Sequence, residues 1–192
     1  MKPLRLVLLL AATSCASAGP APGDIVTLYD MARPDGVIEL ELERDGALRE
    51  IEADIPVDAV PAHVLDAARK RAPGGVITGA EREFRGEGSG YEVKMTHDGR
   101  AWEFVFDDDG RLVETEKELF AREAPPEVLA AAETALPGSA FKSVELITHG
   151  ASQEYHVKRT KDGVSHKMVI APDGTLKRHV REARAELEIP IR

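Results

Sequence analysis

Apolar and charged residues alternate along much of this chain, as they do in β-strands that bury one face. In "YEVKMT", which begins at Tyr91, apolar side chains alternate with Glu92 and Lys94. The same period of two recurs in "AWEFVF" from Ala101 and in "VIELEL" from Val37. Because successive side chains of a strand point to opposite faces, the pattern predicts sheets with one apolar face and one charged face.

Two stretches follow a helical period instead. "PAHVLDAARKRAPGG" from Pro61 and "PPEVLAAAETALPG" from Pro125 each open with proline, repeat apolar residues at helical spacing and end at a Pro-Gly pair. Helices of about three turns are marginal alone and need a surface to pack on. We therefore expect each helix to lie on a sheet.

The chain repeats itself with a gapless period of 64 residues. Residues 61–119 align with 125–183, and 20 of these 59 positions are identical. The same offset places "DGAL" from Asp45 beneath "DGRL" from Asp109 and "DGTL" from Asp173. Two full units, each a helix followed by four antiparallel strands, thus follow one half repeat that contributes only two strands.

The predicted fold class is α+β: tandem units of one helix and a four-stranded antiparallel sheet, preceded by a half-repeat β-hairpin. The predicted boundaries are a signal peptide at 1–18, a linker at 19–36, the hairpin at 37–56, and the two repeats at 57–123 and 124–187.

The run Asp107–Asp109 resembles a calcium loop, but the repeat favours a turn. In the next copy Ala171 and Pro172 replace the first two aspartates, whereas Asp-Gly and a nearby leucine persist. A type I turn followed by a left-handed glycine has this composition. The full EF-hand pattern, a ligand series that ends in a distant bidentate glutamate at fixed spacing, is absent.

Residues 1–18 have the pattern of an export signal: a basic start, the apolar run "LVLLLAA" and a final "ASA". Cleavage after Ala18 would remove Cys15, the only cysteine. "AATSC" also partly resembles a lipoprotein signal, although Ala12 is a poor match, so lipidation of Cys15 stays open. We expect a periplasmic or secreted protein, or a lipoprotein attached to a membrane through that lipid.

Charge is distributed unevenly, with −8 in residues 24–60, −4 in 61–123 and +1 in 124–192. An acidic chain without a basic stripe is a poor nucleic-acid binder. The gradient favours contact between the two ends of one molecule, or between two neighbouring molecules.

Catalytic and metal-binding patterns are weak, and no catalytic residue, metal ligand or cofactor is predicted. No serine lies in a nucleophile elbow. His156 and His166 fall on opposite faces of their strands, which disfavours a zinc site. Glu114, Glu116 and Glu118 are interpreted as solvated strand surface, because nothing in the sequence indicates burial that would shift their pKa values.

Each unit resembles the PepSY-like family of exported bacterial proteins. The family's order of a proline, a short helix, "P-G", "Y-x-V" and glycine turns is matched at Pro61, Val64, Pro73, Gly74, Tyr91, Val93, Gly99, Asp107, Asp109 and Gly110, and at Pro125, Val128, Pro137, Gly138, Tyr155, Val157, Gly163, Asp173 and Gly174. The second unit departs from the pattern, with His166 for Trp102 and Pro172 for Asp108.

That family is similar in fold to the beta-lactamase inhibitor protein, a tandem of helix-on-sheet units. The resemblance implies a non-catalytic exported module that binds or inhibits another protein, including a peptidase or other hydrolase. Alternation assigns the binding positions to an exposed sheet face. These are Glu92, Lys94, Glu103, His156, Lys158 and Lys167.

Alternation also places Trp102, Tyr91 and Tyr155 in the core. Because tight interfaces favour exposed Trp and Tyr, we expect instead a charge-guided contact with an exported or envelope protein. Two alternatives stay open: a lipid-tethered envelope protein, and a metal-dependent sensor that uses the aspartate turns or the histidines.

Overall fold

The computed structural model describes residues 19–86, 88–185 and 188, so the predicted signal and Cys15 lie outside the described residues. The elements in chain order are α1 (Pro22–Met31), β1 (Ile38–Leu42), β2 (Leu48–Ile55), α2 (Ala62–Arg71), β3 (Val76–Arg85), β4 (Gly88–His97), β5 (Arg100–Asp107), β6 (Leu112–Leu119), α3 (Pro126–Ala135), β7 (Ala140–His149), β8 (Ser152–Lys161), β9 (Val164–Ile170) and β10 (Leu176–Arg181).

All ten strands form one antiparallel sheet whose spatial order equals the chain order. The half repeat joins the first unit through β2 and β3, with Ile51 opposite Phe84, and the two units join through β6 and β7, with Lys117 opposite Leu146. The α+β class is confirmed. The units are continuous with one another, because the edge strand of each unit pairs with the first strand of the next rather than remaining open.

The helices pack on one face of this sheet and enclose three apolar clusters. The cluster beneath α2 is centred on Val64, Val93 and Phe106, and the cluster beneath α3 contains Val128 and Met168, all fully buried or nearly so. Strand alternation therefore assigned the core face correctly.

The segment 19–36 is not simply the linker that the sequence suggested, because Pro22–Met31 forms α1. Leu28 of this helix is fully buried against Ile51 and Ala53 of β2. The helix thereby covers the apolar face of the half repeat, which two strands alone would expose to water. Among the described residues, no helix is long and apolar enough to cross a membrane.

The Asp-Gly segments are turns, as predicted. Gly46, Gly110 and Gly174 adopt φ values of 89°, 77° and 84°, which favour glycine. The carboxylate of Asp107 accepts hydrogen bonds from the backbone N–H groups of Asp109 (3.0 Å) and Arg111 (2.8 Å). These bonds lower the pKa of Asp107, the one to Arg111 most strongly, so this carboxylate stabilises its own turn.

The sheet curls until its two edge strands approach each other. Lys167 Nζ of β9 lies 3.2 Å from Glu41 Oε2 of β1, and Arg178 of β10 forms a further ion pair with Glu41. Of the two explanations for the charge gradient, contact between the ends of one molecule is therefore correct: the acidic half repeat meets the basic second unit.

Candidate functional site

The helix-free face of the curled sheet forms the wall of a cavity of about 410 Å³. Its lining has eleven glutamates, seven lysines and arginines, His156 and Val169. The apolar cores occupy the opposite face of the same strands, because side chains alternate across a sheet. The charged residues of the alternating pattern therefore line the cavity.

The six predicted binding residues all line this one cavity. The predicted exposure is wrong for Glu92, which is only 4% exposed, and the other five are half-buried. Alternation correctly placed them on one face, but it contains no information about curvature. The curl brings positions from both units around a common space, where solvent is limited.

The three lysines of this set each have a carboxylate partner. Lys94 Nζ lies 2.5 Å from Glu81 Oε1, and Lys158 Nζ lies 3.3 Å from Glu145 Oε1. Burial opposes the charge on Lys94, but the hydrogen bond to Glu81 and the charge of Glu81 outweigh it, so the pKa of Lys94 is raised above its ordinary value. Lys167 pairs with Glu41 across the seam, which is the contact of β1 with β9 and β10 through Glu41, Lys167 and Arg178.

His156 points into the cavity, where its Nε2 lies 3.4 Å from Glu154 Oε1. This contact, with Lys177 at 2.9 Å from Glu154 Oε2, lowers the pKa of Glu154 to about 2. His166 and His179 lie elsewhere, with Nδ1 of the first 3.0 Å from Nε2 of the second. The structure therefore keeps these histidines in two separate places.

Glutamates face one another across neighbouring strands of the first unit. Glu81 is opposite Glu92, and Glu103 is opposite Glu116. Directly opposed like charges destabilise a sheet. Burial, followed by repulsion from Glu103, raises the pKa of Glu116 to about 8. The interpretation of Glu116 as solvated surface is wrong, because the curl removes this position from bulk water.

Glu114 is likewise buried, at 8% exposure, whereas Glu118 is exposed as expected. Glu114 contacts Arg85, whose guanidinium also pairs with Glu50 and lies 3.7 Å from Glu83. Burial still raises the pKa of Glu83 to about 7, despite the opposing effect of Arg85. Arg85 thus neutralises one part of the acidic wall.

Three groups in the described residues bring potential metal-binding atoms within 4.8 Å of one another. The groups are Glu116, Glu145 and His156; Glu50, Glu52 and Glu83; and Glu92, Glu103 and Glu116. No sequence pattern indicated any of these groups. Their glutamates were visible only as alternating charges, since the opposition of particular residues depends on strand register.

Two findings connect this chain with known proteins. Residues 61–107 match the PepSY family model, described as "Peptidase propeptide and YPEB domain". The resemblance inferred from the order of prolines, glycines and strands is confirmed, most directly in the first unit. No curated protein sequence matches the chain.

Solved structures with the same fold come from Bacteroides species. A DUF2874 family protein of Bacteroides uniformis has a TM-score of 0.52 and 18% identity, and the match covers 64% of this chain and 89% of that one. A candidate periplasmic protein of Bacteroides eggerthii has a TM-score of 0.52 and 15% identity, covering 64% and 88%.

A BLIP-like protein of Bacteroides fragilis has a TM-score of 0.51 and 22% identity, covering 68% of this chain and 92% of that one. At these identities the likeness establishes a fold shared by PepSY-like and BLIP-like proteins, and not a common target.

Proposed function

We propose that this protein is an exported, non-enzymatic binding module that receives a polar segment of another exported protein in its inner cavity. The observation that carries the proposal is the convergence of all six candidate residues on one cavity of about 410 Å³. That size suits a few inserted side chains rather than a broad flat contact. The charged lining would provide electrostatic selection of the inserted segment.

A peptidase or other hydrolase is the partner class that the comparisons favour. The matched family model is named for peptidase propeptides, and one structural neighbour is described as BLIP-like. The pattern of residues 1–18 and the description of another neighbour as a candidate periplasmic protein support an exported location.

The test is capture of partners from the exported fraction by residues 19–192, followed by affinity measurement with the purified partner. The inner variant Lys158→Gln/Lys177→Gln removes two cations that line the cavity. The outer variant Lys70→Gln/Lys142→Gln changes the net charge equally at exposed positions outside it. Neither pair includes Lys167, because its replacement would also open the seam.

We expect the partner to bind the wild type and the outer variant with similar affinity, and the inner variant at least about tenfold more weakly. Equal affinity for both variants would contradict binding in the cavity. Thermal melting of each variant separates lost binding from lost structure.

The alternative of a lipid-tethered envelope protein rests on Cys15, which follows "AATS". Mass spectrometry of the protein from membranes of its source cells decides it. A diacylated amino terminus at Cys15 would favour the tether, whereas a free amino terminus at Gly19 would establish cleavage after Ala18.

A further inference from the structure

Three glutamates from neighbouring strands of the first unit converge inside the cavity. Glu92 on β4, Glu103 on β5 and Glu116 on β6 each place a carboxylate oxygen within 4.8 Å of those of the other two. The register accounts for this, because Glu103 is opposite Glu116, and Glu92 is two residues from Lys94, which is opposite Glu103. The arrangement brings three carboxyl groups to one point of the wall.

One buried oxygen of these three glutamates has no hydrogen bond within the described part of the chain and only a long contact with a cation. Glu92 is 4% exposed and lines the cavity, yet its Oε1 accepts no hydrogen bond from the described residues. Lys94 Nζ is 3.7 Å away and bonds instead to Glu81 at 2.5 Å. A buried carboxylate oxygen without a partner is costly, so such an atom in a native cavity calls for a cation or a donor.

We propose that Glu92, Glu103 and Glu116 form a calcium site inside the cavity. Three oxygens no more than 4.8 Å apart lie within about 2.8 Å of a common centre, close to the Ca–O distances of about 2.3–2.6 Å. Small side-chain adjustments would complete three bonds. Water in the cavity would supply the remaining ligands.

Calcium suits this group better than other ions. Carboxylate oxygens are hard ligands, and no sulfur or imidazole in the triad would favour zinc. Magnesium requires shorter bonds of about 2.0–2.1 Å and strict octahedral geometry. Lys94 remains near the site, so we expect weak binding, in the range of about 10⁻⁴–10⁻³ M that is typical of extracellular calcium modules.

The other two groups are poorer candidates because a cation is hydrogen-bonded to one of their carboxylates, whereas Lys94 stays 3.7 Å from Glu92. Arg85 pairs with Glu50 and lies 3.7 Å from Glu83 in one group. Lys158 bonds to Glu145 in the other. In the second repeat, the positions that correspond to the triad hold His156, Lys167 and Val180. The site therefore belongs to the first unit alone, and one ion per chain is expected.

The experiment is calorimetric titration of metal-free residues 19–192 with CaCl2, and separately with MgCl2, together with thermal melting. The site variants are Glu92→Gln and Glu116→Gln. The matched control Glu39→Gln removes one carboxylate from another part of the same lining. The second control, Asp109→Asn, tests the exposed aspartate turn.

We expect one calcium ion per chain, a higher melting temperature in calcium, and at least tenfold weaker binding by both site variants. Each site variant should melt no lower than the wild type without calcium, because it relieves repulsion between glutamates. The controls should bind calcium within about twofold of the wild type.

Several outcomes would overturn the site. Calcium binding that is unchanged in both site variants would contradict it. So would the absence of binding at a calcium concentration tenfold above about 10⁻³ M. An equal loss in Glu39→Gln would indicate diffuse attraction by the acidic wall, and a loss in Asp109→Asn would place the ion at the turn.

Discussion

The inner faces of the two units have the same strand scaffold but opposite charge. Lys94 and Val105 recur one repeat later as Lys158 and Val169, whereas Glu103 becomes Lys167. Two more exchanges also replace a glutamate of the first unit: Glu92 corresponds to His156, and Glu114 to Arg178. The conserved positions maintain the strand pattern, and the exchanged ones make the first wall acidic and the second basic.

This difference explains how the curled sheet holds its ends together. Strands β1 and β10 are the two edges, and each pairs with only one neighbour in the sheet. Glu41 of the acidic half repeat instead meets Lys167 and Arg178 through side chains. Two identical acidic units could not form that contact, because like charges would repel across the seam.

The largest expected effect comes from removing the half repeat. Deleting residues 24–56 removes α1, β1 and β2, uncovers the edge of β3 and leaves Lys167 and Arg178 without Glu41. We expect aggregation, because an open strand edge pairs with other chains. Size-exclusion chromatography and thermal melting measure this; a soluble monomer as stable as the wild type would contradict it.

Reversing the charge at the seam should cost on the order of 2–3 kcal/mol. Glu41→Lys places a further cation beside Lys167, Arg178 and Arg49, which all pair with Glu41. The matched control is Glu39→Lys, on the same face of the same strand, where no ion pair is present among the described residues. Urea unfolding of both should show the larger loss for Glu41→Lys, and equal losses would rule out a specific seam.

Stability should increase on acidification from about pH 7 to about pH 5. The pKa of Glu83 is raised from 4.5 to about 7, so the native state binds this proton more tightly than the unfolded state does. The associated stability is complete below 4.5 and is lost as pH rises to about 7, an effect on the order of 2 kcal/mol. Denaturant unfolding across this range measures it.

Carboxyl groups with lowered pKa values set the lower limit of that range, and Glu123 and Glu154 are two of them. The pKa values of Glu123 and Glu154 are lowered to about 2, mainly by hydrogen bonds from Arg100 and His156, so their contributions disappear as pH falls below about 4.5. Glu83→Ile copies Ile147 of the second unit and should reduce the slope between pH 5 and 7, while Glu116, whose pKa is raised to about 8, maintains the remainder. An unchanged slope would show that other groups produce it.

Copying the charge of the second unit into the first should stabilise the protein by about 1 kcal/mol. Glu103→Lys, which reproduces Lys167, places a cation between Glu92 and Glu116. The reciprocal change, Lys167→Glu, should destabilise, because it removes the partner of Glu41. Effects of the same sign in both variants would show that charge does not distinguish the two walls.

The smallest effect is expected at the aspartate turn. Asp109 is 77% exposed at its side chain and pairs only with Arg111, itself 76% exposed. Asp109→Asn should therefore change the free energy of unfolding by less than about 0.5 kcal/mol. A larger loss in chemical denaturation would mean that the turn contributes more than a solvated ion pair.

The sequence alone determined the local structure and the repeat. Alternation identified strands such as Gly88–His97 and their apolar faces, because one side of a sheet must be buried. Proline and Pro-Gly pairs bounded Ala62–Arg71 and Pro126–Ala135, and the 64-residue offset found their equivalence. The helix Pro22–Met31 was missed, since it lies outside the repeat and, of the side chains described in it, Leu28 alone is fully buried.

Only the tertiary structure decided what the charged face becomes. Whether Glu92 and Glu116 face bulk water or one another depends on sheet curvature and strand register, which a period of two does not specify. The curl depends in turn on contacts between residues far apart in the chain, such as Glu41 with Lys167. A pattern of alternating charges thus indicated a surface, and long-range packing made it the wall of a cavity.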